Sequence, residues 1–109
     1  MDKITLVDDG IVFETLLISA ARPARLVLFA AGSGGNPERY LPLLTSLVEN
    51  DCTVIAPYFE RLMSPSPSSS DLLLRARRLK VALDHIPDPD LPVVGIGHSI
   101  GATLFLNLA

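Results

Sequence analysis

Three short apolar runs frame this chain: Leu26-Val27-Leu28-Phe29-Ala30, Thr53-Val54-Ile55-Ala56 and Pro92-Val93-Val94-Gly95-Ile96. Each has the length of a strand, and each is followed by a turn-forming segment and then by apolar residues at helical spacing. Continuous rather than alternating apolar character marks strands buried on both faces. Strands that alternate with helices predict an α/β fold with a mostly parallel sheet. Ahead of them, Ile4, Leu6 and Val7, the pair Asp9-Gly10 and the stretch Ile11 to Ile18 predict a β-hairpin, because Asp-Gly is a strong two-residue turn signal. Arg22-Pro23 breaks that pattern.

The first unit continues through Gly32-Ser33-Gly34-Gly35-Asn36-Pro37 into a helix with Leu41, Leu44, Leu47 and Val48 on one face. Pro42 lacks a backbone donor, so it belongs in the first turn, with the helix starting near Glu38 to Tyr40. In the second unit Pro57 ends the strand, and Arg61 to Ser70 reads as a mobile Ser/Pro-rich surface loop. Ser68-x-x-Asp71 fits a capping box with Asp in place of the usual Glu. The helix behind it carries Leu72, Ala76, Leu79, Leu83 and Ile86, with Arg75, Arg77, Arg78, Lys80 and Asp84 between them as a solvated face. Pro87-Asp88-Pro89-Asp90 ends it. The third unit turns at Gly97-His98-Ser99-Ile100-Gly101 and enters Ile100 to Ala109, which is apolar nearly all round. A helix of that kind needs cover on most sides. Residues 1–109 are therefore expected to form part of a domain, the N-terminal portion of a longer protein. No internal repeat of 20–50 residues is present.

Composition removes several classes of function. Of the 109 residues 49% are apolar and 19% charged, with a mean hydropathy of +0.40, which excludes an intrinsically disordered chain. No apolar run approaches the roughly 18 residues of a membrane helix. A net charge of −3 leaves no electrostatic footprint for nucleic acid. The acidic N-terminus lacks the basic-then-apolar order of a signal peptide, so a soluble cytoplasmic protein is expected. The single cysteine, Cys52, excludes a disulfide within the chain and opens a buried strand, where it reads as a core thiol. No metal site and no cofactor are expected.

The chemistry concentrates between Val93 and Gly101. Gly97-His98-Ser99-Ile100-Gly101 matches G-x-S-x-G, and it lies where that motif has a mechanical meaning, between an apolar strand and an apolar helix. A sharp strand-to-helix turn lifts the Ser99 hydroxyl clear of the sheet edge on a strained backbone, and glycines at 97 and 101 let neighbouring elements close in. The backbone N–H of Ile100, at the helix N-terminus, would face an oxyanion. Right-handed crossovers that put the second parallel strand on one side of the first and the third on the other make the first and third neighbours. The Gly-rich loop then meets the elbow at a topological switch point, where open α/β sheets bind ligands. The backbone N–H of Ser33 is the expected second oxyanion donor.

In these features the chain resembles the first half of an α/β-hydrolase, nearest the dienelactone-hydrolase-like branch. The hairpin, strand 26–30 with its Gly-rich loop, Val54-Ile55-Ala56-Pro57 and the elbow follow in the family's order. The resemblance implies a serine hydrolase of ester or thioester type, with Ser99 as nucleophile, Ser33 and Ile100 as oxyanion donors and a small-molecule acyl substrate. Many members open the first loop with His-Gly, whereas this chain has Ala31-Gly32. Dienelactone hydrolases proper carry cysteine at the elbow, so serine leans towards an esterase or thioesterase. The family places its acid and then its histidine after the serine. Here Ile100 to Ala109 holds no Asp, Glu or His, so these 109 residues alone are expected to have negligible hydrolase activity.

Plainer readings stand beside these. His98 is adjacent to Ser99 and cannot easily fold back to deprotonate it, so it reads as an elbow residue that packs or hydrogen-bonds. His85, near a helix end, reads as an exposed residue favoured by the dipole. Tyr58, Phe59 and Glu60 are placed either to line a pocket, as are Gly32, Gly34 and His98, or to pack as core aromatics. Ser99 itself has a plain alternative as a helix cap. A nucleotide-binding module is a competing function, but Gly32-x-Gly34 is followed three residues on by Pro37, and Gly95-x-Gly97 by Ile100 with Gly101 one place late. A non-catalytic degenerate hydrolase acting by protein interaction is the third reading. An uncovered third strand would invite self-association through its exposed edge.

Overall fold

The computed structural model describes residues 1–63, 68–85 and 90–104. Strands β1 (Asp2–Asp8) and β2 (Ile11–Ile18) form the expected hairpin, closed by Asp9 at φ +50° and Gly10 at φ +81°. Both turn residues in the left-handed region is what a two-residue turn between right-twisted strands requires. Next come β3 (Arg25–Ala30), a 3₁₀ turn over Pro37–Tyr40, α1 (Leu41–Glu49), β4 (Cys52–Pro57), α2 (Ser69–Asp84), β5 (Val93–Gly97) and α3 (Ile100–Leu104). The 3₁₀ turn lies where the first helix was expected to begin, and Pro42 sits in the opening turn of α1, where its missing N–H costs nothing. Residues 64–67, 86–89 and 105–109, to which the sequence assigns part of the Arg61–Ser70 loop, a helix end and half of a buried helix, lie outside the described residues.

The described strands form one sheet in the order β1-β2-β4-β3-β5. β3 pairs in parallel with β4 on one side and with β5 on the other, while β2 joins β4 antiparallel. Hence the first and third parallel strands are neighbours, with the second on one side of the first and the third on the other, the arrangement on which the sequence-based expectation depends.

The period of two along β3 sorts its side chains between two cores. Leu26, Leu28 and Ala30 pack with Ile55, Phe59, Leu79, Ala82 and Leu104 on the α2/α3 side. Val27, Phe29 and Ala31 pack with Leu44, Cys52, Val54 and Ala56 on the α1 side. Both faces are filled, which is why the strand reads as an unbroken apolar run. Each Leu or Phe so buried contributes about 1.5–3 kcal/mol. Cys52 is buried in the second of these clusters, as a core thiol.

Helix α2 opens on the predicted capping box: Ser68 Oγ accepts from the Asp71 N–H at 3.2 Å, and Asp71 Oδ2 accepts from the Ser68 N–H at 3.3 Å. Its basic residues, however, are not one solvated face. Arg75 and Arg78 are 3% and 4% exposed. The physical reason is spacing: positions 75, 78, 79 and 82 form one helical stripe, and Leu79 and Ala82 turn that stripe onto the sheet. Long arginine stems cover apolar surface while their heads find polar partners. Thus Arg75 lies over the Phe59 ring at 4.7 Å and Arg78 over Phe13 at 5.3 Å. Arg77, by contrast, reaches Asp8 from the half-exposed side at 3.0 Å, and Lys80 pairs with Asp84 at 2.9 Å in solvent.

Among the described residues no helix is long and apolar enough to cross a membrane.

Candidate active site

Ser99 stands between the end of β5 and the start of α3, exposed, with φ at +55°. A left-handed conformation costs an L-residue roughly 1–2 kcal/mol, so the surrounding backbone has to impose it. Three hydrogen bonds do so. The His98 N–H donates to Ala30 O at 3.2 Å and carries the β3–β5 pairing one residue past the strand; Gly101 N–H donates to His98 O at 2.9 Å and Ala102 N–H to Ser99 O at 3.1 Å. The flanking glycines allow this closeness. A Cβ on Gly97 would lie 2.6 Å from the Ala102 nitrogen, and one on Gly101 only 2.3 Å from the Ala30 carbonyl oxygen.

Because Ala30 and Gly97 are paired residues, the segments that leave β3 and β5 emerge side by side. They enclose a cleft of about 270 Å³, lined on one side by Gly32, Ser33 and Gly34 and on the other by His98 and Ser99. The two sides are tied together. Tyr40 Oη accepts from the Gly32 N–H at 3.1 Å and lies 3.0 Å from His98 Nδ1. With the Gly32 N–H supplying one proton, the simplest pattern has the phenol donating to Nδ1, which leaves the His98 proton on Nε2. This bond holds the imidazole against Tyr40, in accord with a hydrogen-bonding rather than a proton-abstracting residue. Gly32 suits this crossing, since a Cβ there would sit 3.2 Å from Tyr40 Oη and 3.3 Å from His98 Nδ1.

Tyr40→Phe removes both bonds while keeping the ring that packs 4.9 Å from Phe29. The expected loss is about 1–2 kcal/mol of stability, read as a lowered denaturation midpoint.

The residues singled out in the sequence divide cleanly. Ser33, Gly32, Gly34, His98 and Ser99 come together around the cleft, and Gly97 and Gly101 buttress the elbow from behind. The Ile100 backbone begins α3, as expected. Among the described residues the Ser33 N–H finds no acceptor, whereas the Gly32 N–H is taken by Tyr40. Tyr58 does not line this cleft. Its N–H donates to Glu14 O at 2.9 Å, which prolongs the β4–β2 pairing and carries the residue to the hairpin side, under Lys3 at 5.1 Å. Burial there, and the nearby carboxylates of Glu38 and Glu14, push its hydroxyl above the ordinary phenol range.

Two contributors escaped sequence reasoning. Tyr40 carries no motif. Arg75 does leave a signal, the i, i+4, i+7 spacing with Leu79 and Ala82 that places it on the buried stripe. From there Arg75 Nη1 donates to Gly32 O at 2.8 Å, and Nη2 donates to Ser33 O at 2.9 Å and Glu60 O at 2.8 Å. Burial, and then the neighbouring Arg78 charge, pull the Arg75 guanidinium below its ordinary value.

Several solved structures are similar to this chain in architecture. The thioesterase domain from the curacin biosynthetic pathway superposes with a TM-score of 0.76 at 20% identity, over 100% of this chain and 41% of its own. The α/β hydrolase GrgF from Penicillium sp. sh18 gives 0.73 at 17% identity, covering 97% and 39%. Dienelactone hydrolase from Anabaena variabilis ATCC 29413 gives 0.68 at 20% identity, covering 94% and 53%. This is the α/β-hydrolase fold. The chain spans between about two fifths and a half of the length of these α/β-hydrolases. No protein-family model and no curated protein matches it.

Proposed function

We propose that this chain carries the nucleophile and the oxyanion hole of a serine hydrolase acting on an ester or thioester. One observation carries the reading: Ser99 is an exposed, non-glycine residue at φ +55° in the cleft that the Gly-rich loop shares. A serine that merely capped α3 would adopt extended backbone rather than a left-handed one.

In this mechanism Ser99 Oγ attacks the acyl carbonyl, and negative charge gathers on the carbonyl oxygen. The Ile100 N–H at the start of α3 and the Ser33 N–H across the cleft stabilise that charge. The proton of Ser99 has to pass to a base. His98 is held by Tyr40, and residues 100–109 contain no Asp, Glu or His. A triad in the family's order, with acid and then histidine after the serine, needs groups that residues 100–109 do not hold.

The reading is tested with an ester and a thioester of the same acyl group. The complete protein is expected to release the acid in a Ser99-dependent way, and the isolated 109 residues to show negligible turnover. Robust Ser99-dependent turnover by the 109 residues alone would contradict the second expectation, and no Ser99-dependent turnover of either substrate by the complete protein would contradict the first.

The outer edge of β5 supports a further expectation for the isolated 109 residues. Among the described residues β5 pairs only with β3, and Val93 and Val94 are 46% and 42% exposed. An open apolar edge of this kind recruits a second strand. Sedimentation velocity is expected to show self-association rising with concentration; a single monomer species at high concentration would contradict it.

A further inference from the structure

Arg75 is an arginine in an unusual position. It is 3% exposed, and among the described residues no carboxylate lies within ion-pair distance of it, although its neighbour Arg78 pairs with Glu60 at 3.1 Å. Its charge is met instead by the carbonyl oxygens of Gly32, Ser33 and Glu60. Two of those three belong to the loop that faces Ser99. We infer that Arg75 is a positioning residue, which orients the Gly32–Ser33 and Ser33–Gly34 peptide groups so that their N–H groups face the serine cleft.

The argument is geometric. In a planar trans peptide the C=O and the following N–H point in opposite directions, and this chain has no cis bonds among its described residues. Drawing Gly32 O towards Arg75 therefore turns the Ser33 N–H away from α2, and drawing Ser33 O the same way turns the Gly34 N–H with it. The other bonds agree in direction: Gly35 N–H donates to Gly32 O at 3.0 Å, and Leu62 N–H to Ser33 O at 2.9 Å. A guanidinium suits the task because its planar fork binds two acceptors in fixed relative positions, which an ammonium does not. Its position is fixed in turn by the Phe59 ring beneath it and by the rigid backbone of α2.

A second consequence is electronic. A charge-assisted bond to a peptide oxygen polarises that peptide and makes its N–H a stronger donor. On the hydrolase reading, on which this catalytic part rests, Arg75 strengthens the oxyanion hole without touching substrate. Its loss should then lower kcat with little change in KM, because the hole acts on charge that exists only in the transition state.

The experiment uses the complete protein with Arg75→Met, which keeps an unbranched stem in the same space, and with Arg75→Lys. Expected for Arg75→Met are a fall in kcat of about a hundredfold, a KM within about threefold, and weaker binding of a boronic acid that mimics the tetrahedral adduct. Arg75→Lys should recover only part of the loss. In parallel, ¹⁵N relaxation should show the Ser33 and Gly34 amides falling from rigid values near 0.85 to below about 0.6 in Arg75→Met, with β3 and α2 unchanged. A kcat retained within about threefold, together with unchanged amide order, would overturn the inference. If Arg75→Met does not fold, Arg75→Lys decides in the same terms: lower kcat and looser amides support the inference, and wild-type values overturn it. Should the wild type show no Ser99-dependent turnover, the hydrolase reading falls, and the relaxation data alone decide the positioning role.

Discussion

Replacing Ser99 by alanine in the complete protein is expected to lower ester or thioester turnover by at least about 10⁴-fold, with the fold left intact. The size follows from what the side chain does in the proposed mechanism: without Oγ there is no acyl-enzyme, and only binding and oxyanion stabilisation remain. Stability should change by no more than about 0.5 kcal/mol, because Ser99 is exposed and its removal opens no cavity. Alanine also leaves the backbone problem as it was, since both residues pay for a left-handed φ. A kinetic assay paired with a denaturation curve reads both quantities. Unchanged turnover would remove Ser99 from the chemistry.

A large stability effect is expected at Gly101. A Cβ there would stand 2.3 Å from the Ala30 carbonyl oxygen, 2.7 Å from that of Ala31 and 2.9 Å from the Ala30 carbonyl carbon. All three atoms belong to the backbone at the end of β3, the strand bonded on both sides within the sheet. Backbone so held does not retract as a flexible side chain would. Gly101→Ala therefore either pushes α3 off the sheet or breaks the elbow, at a cost of about 3 kcal/mol or more. That is a large share of the roughly 5–15 kcal/mol that holds a domain together. Gly34 supplies the control: nothing lies within 4 Å of a Cβ placed there, so Gly34→Ala should shift stability by less than about 1 kcal/mol. Equilibrium urea unfolding of the two variants gives the comparison, and similar midpoints would contradict the packing argument.

Much of this architecture was legible because strong local signals agreed with one another. Asp9-Gly10, the uninterrupted apolar run of β3, the capping box at Ser68 and the glycines around Ser99 each depend on residues close in sequence. Their meaning survives without knowledge of the fold. The neighbour relation of β3 and β5, and with it the meeting of the Gly-rich loop and the elbow, is expected on the condition that β4 and β5 lie on opposite sides of β3, and that is the observed order.

What was not legible depends on tertiary partners. Arg75 and Arg78 have the composition of a solvated helix face, and the one local sign that they are interior residues is their helical spacing with Leu79 and Ala82. Tyr40 bonds Gly32 and also His98, which lies 58 residues further along the chain, with nothing local to announce it. Tyr58 follows a strand at its carboxyl end, as a pocket residue would, yet the antiparallel pairing with β2 takes it to the other side. For both tyrosines the deciding contact is long-range, and a single chain pattern does not encode it.

The central claim, that the elbow presents Ser99 as a nucleophile, is tested most directly by reacting the complete protein with a fluorophosphonate and mapping the adduct by peptide mass spectrometry. The account predicts one adduct, on the peptide that contains Ser99, and none in Ser99→Ala. A protein that stays unlabelled at Ser99, or whose labelling is undiminished in Ser99→Ala, would contradict it.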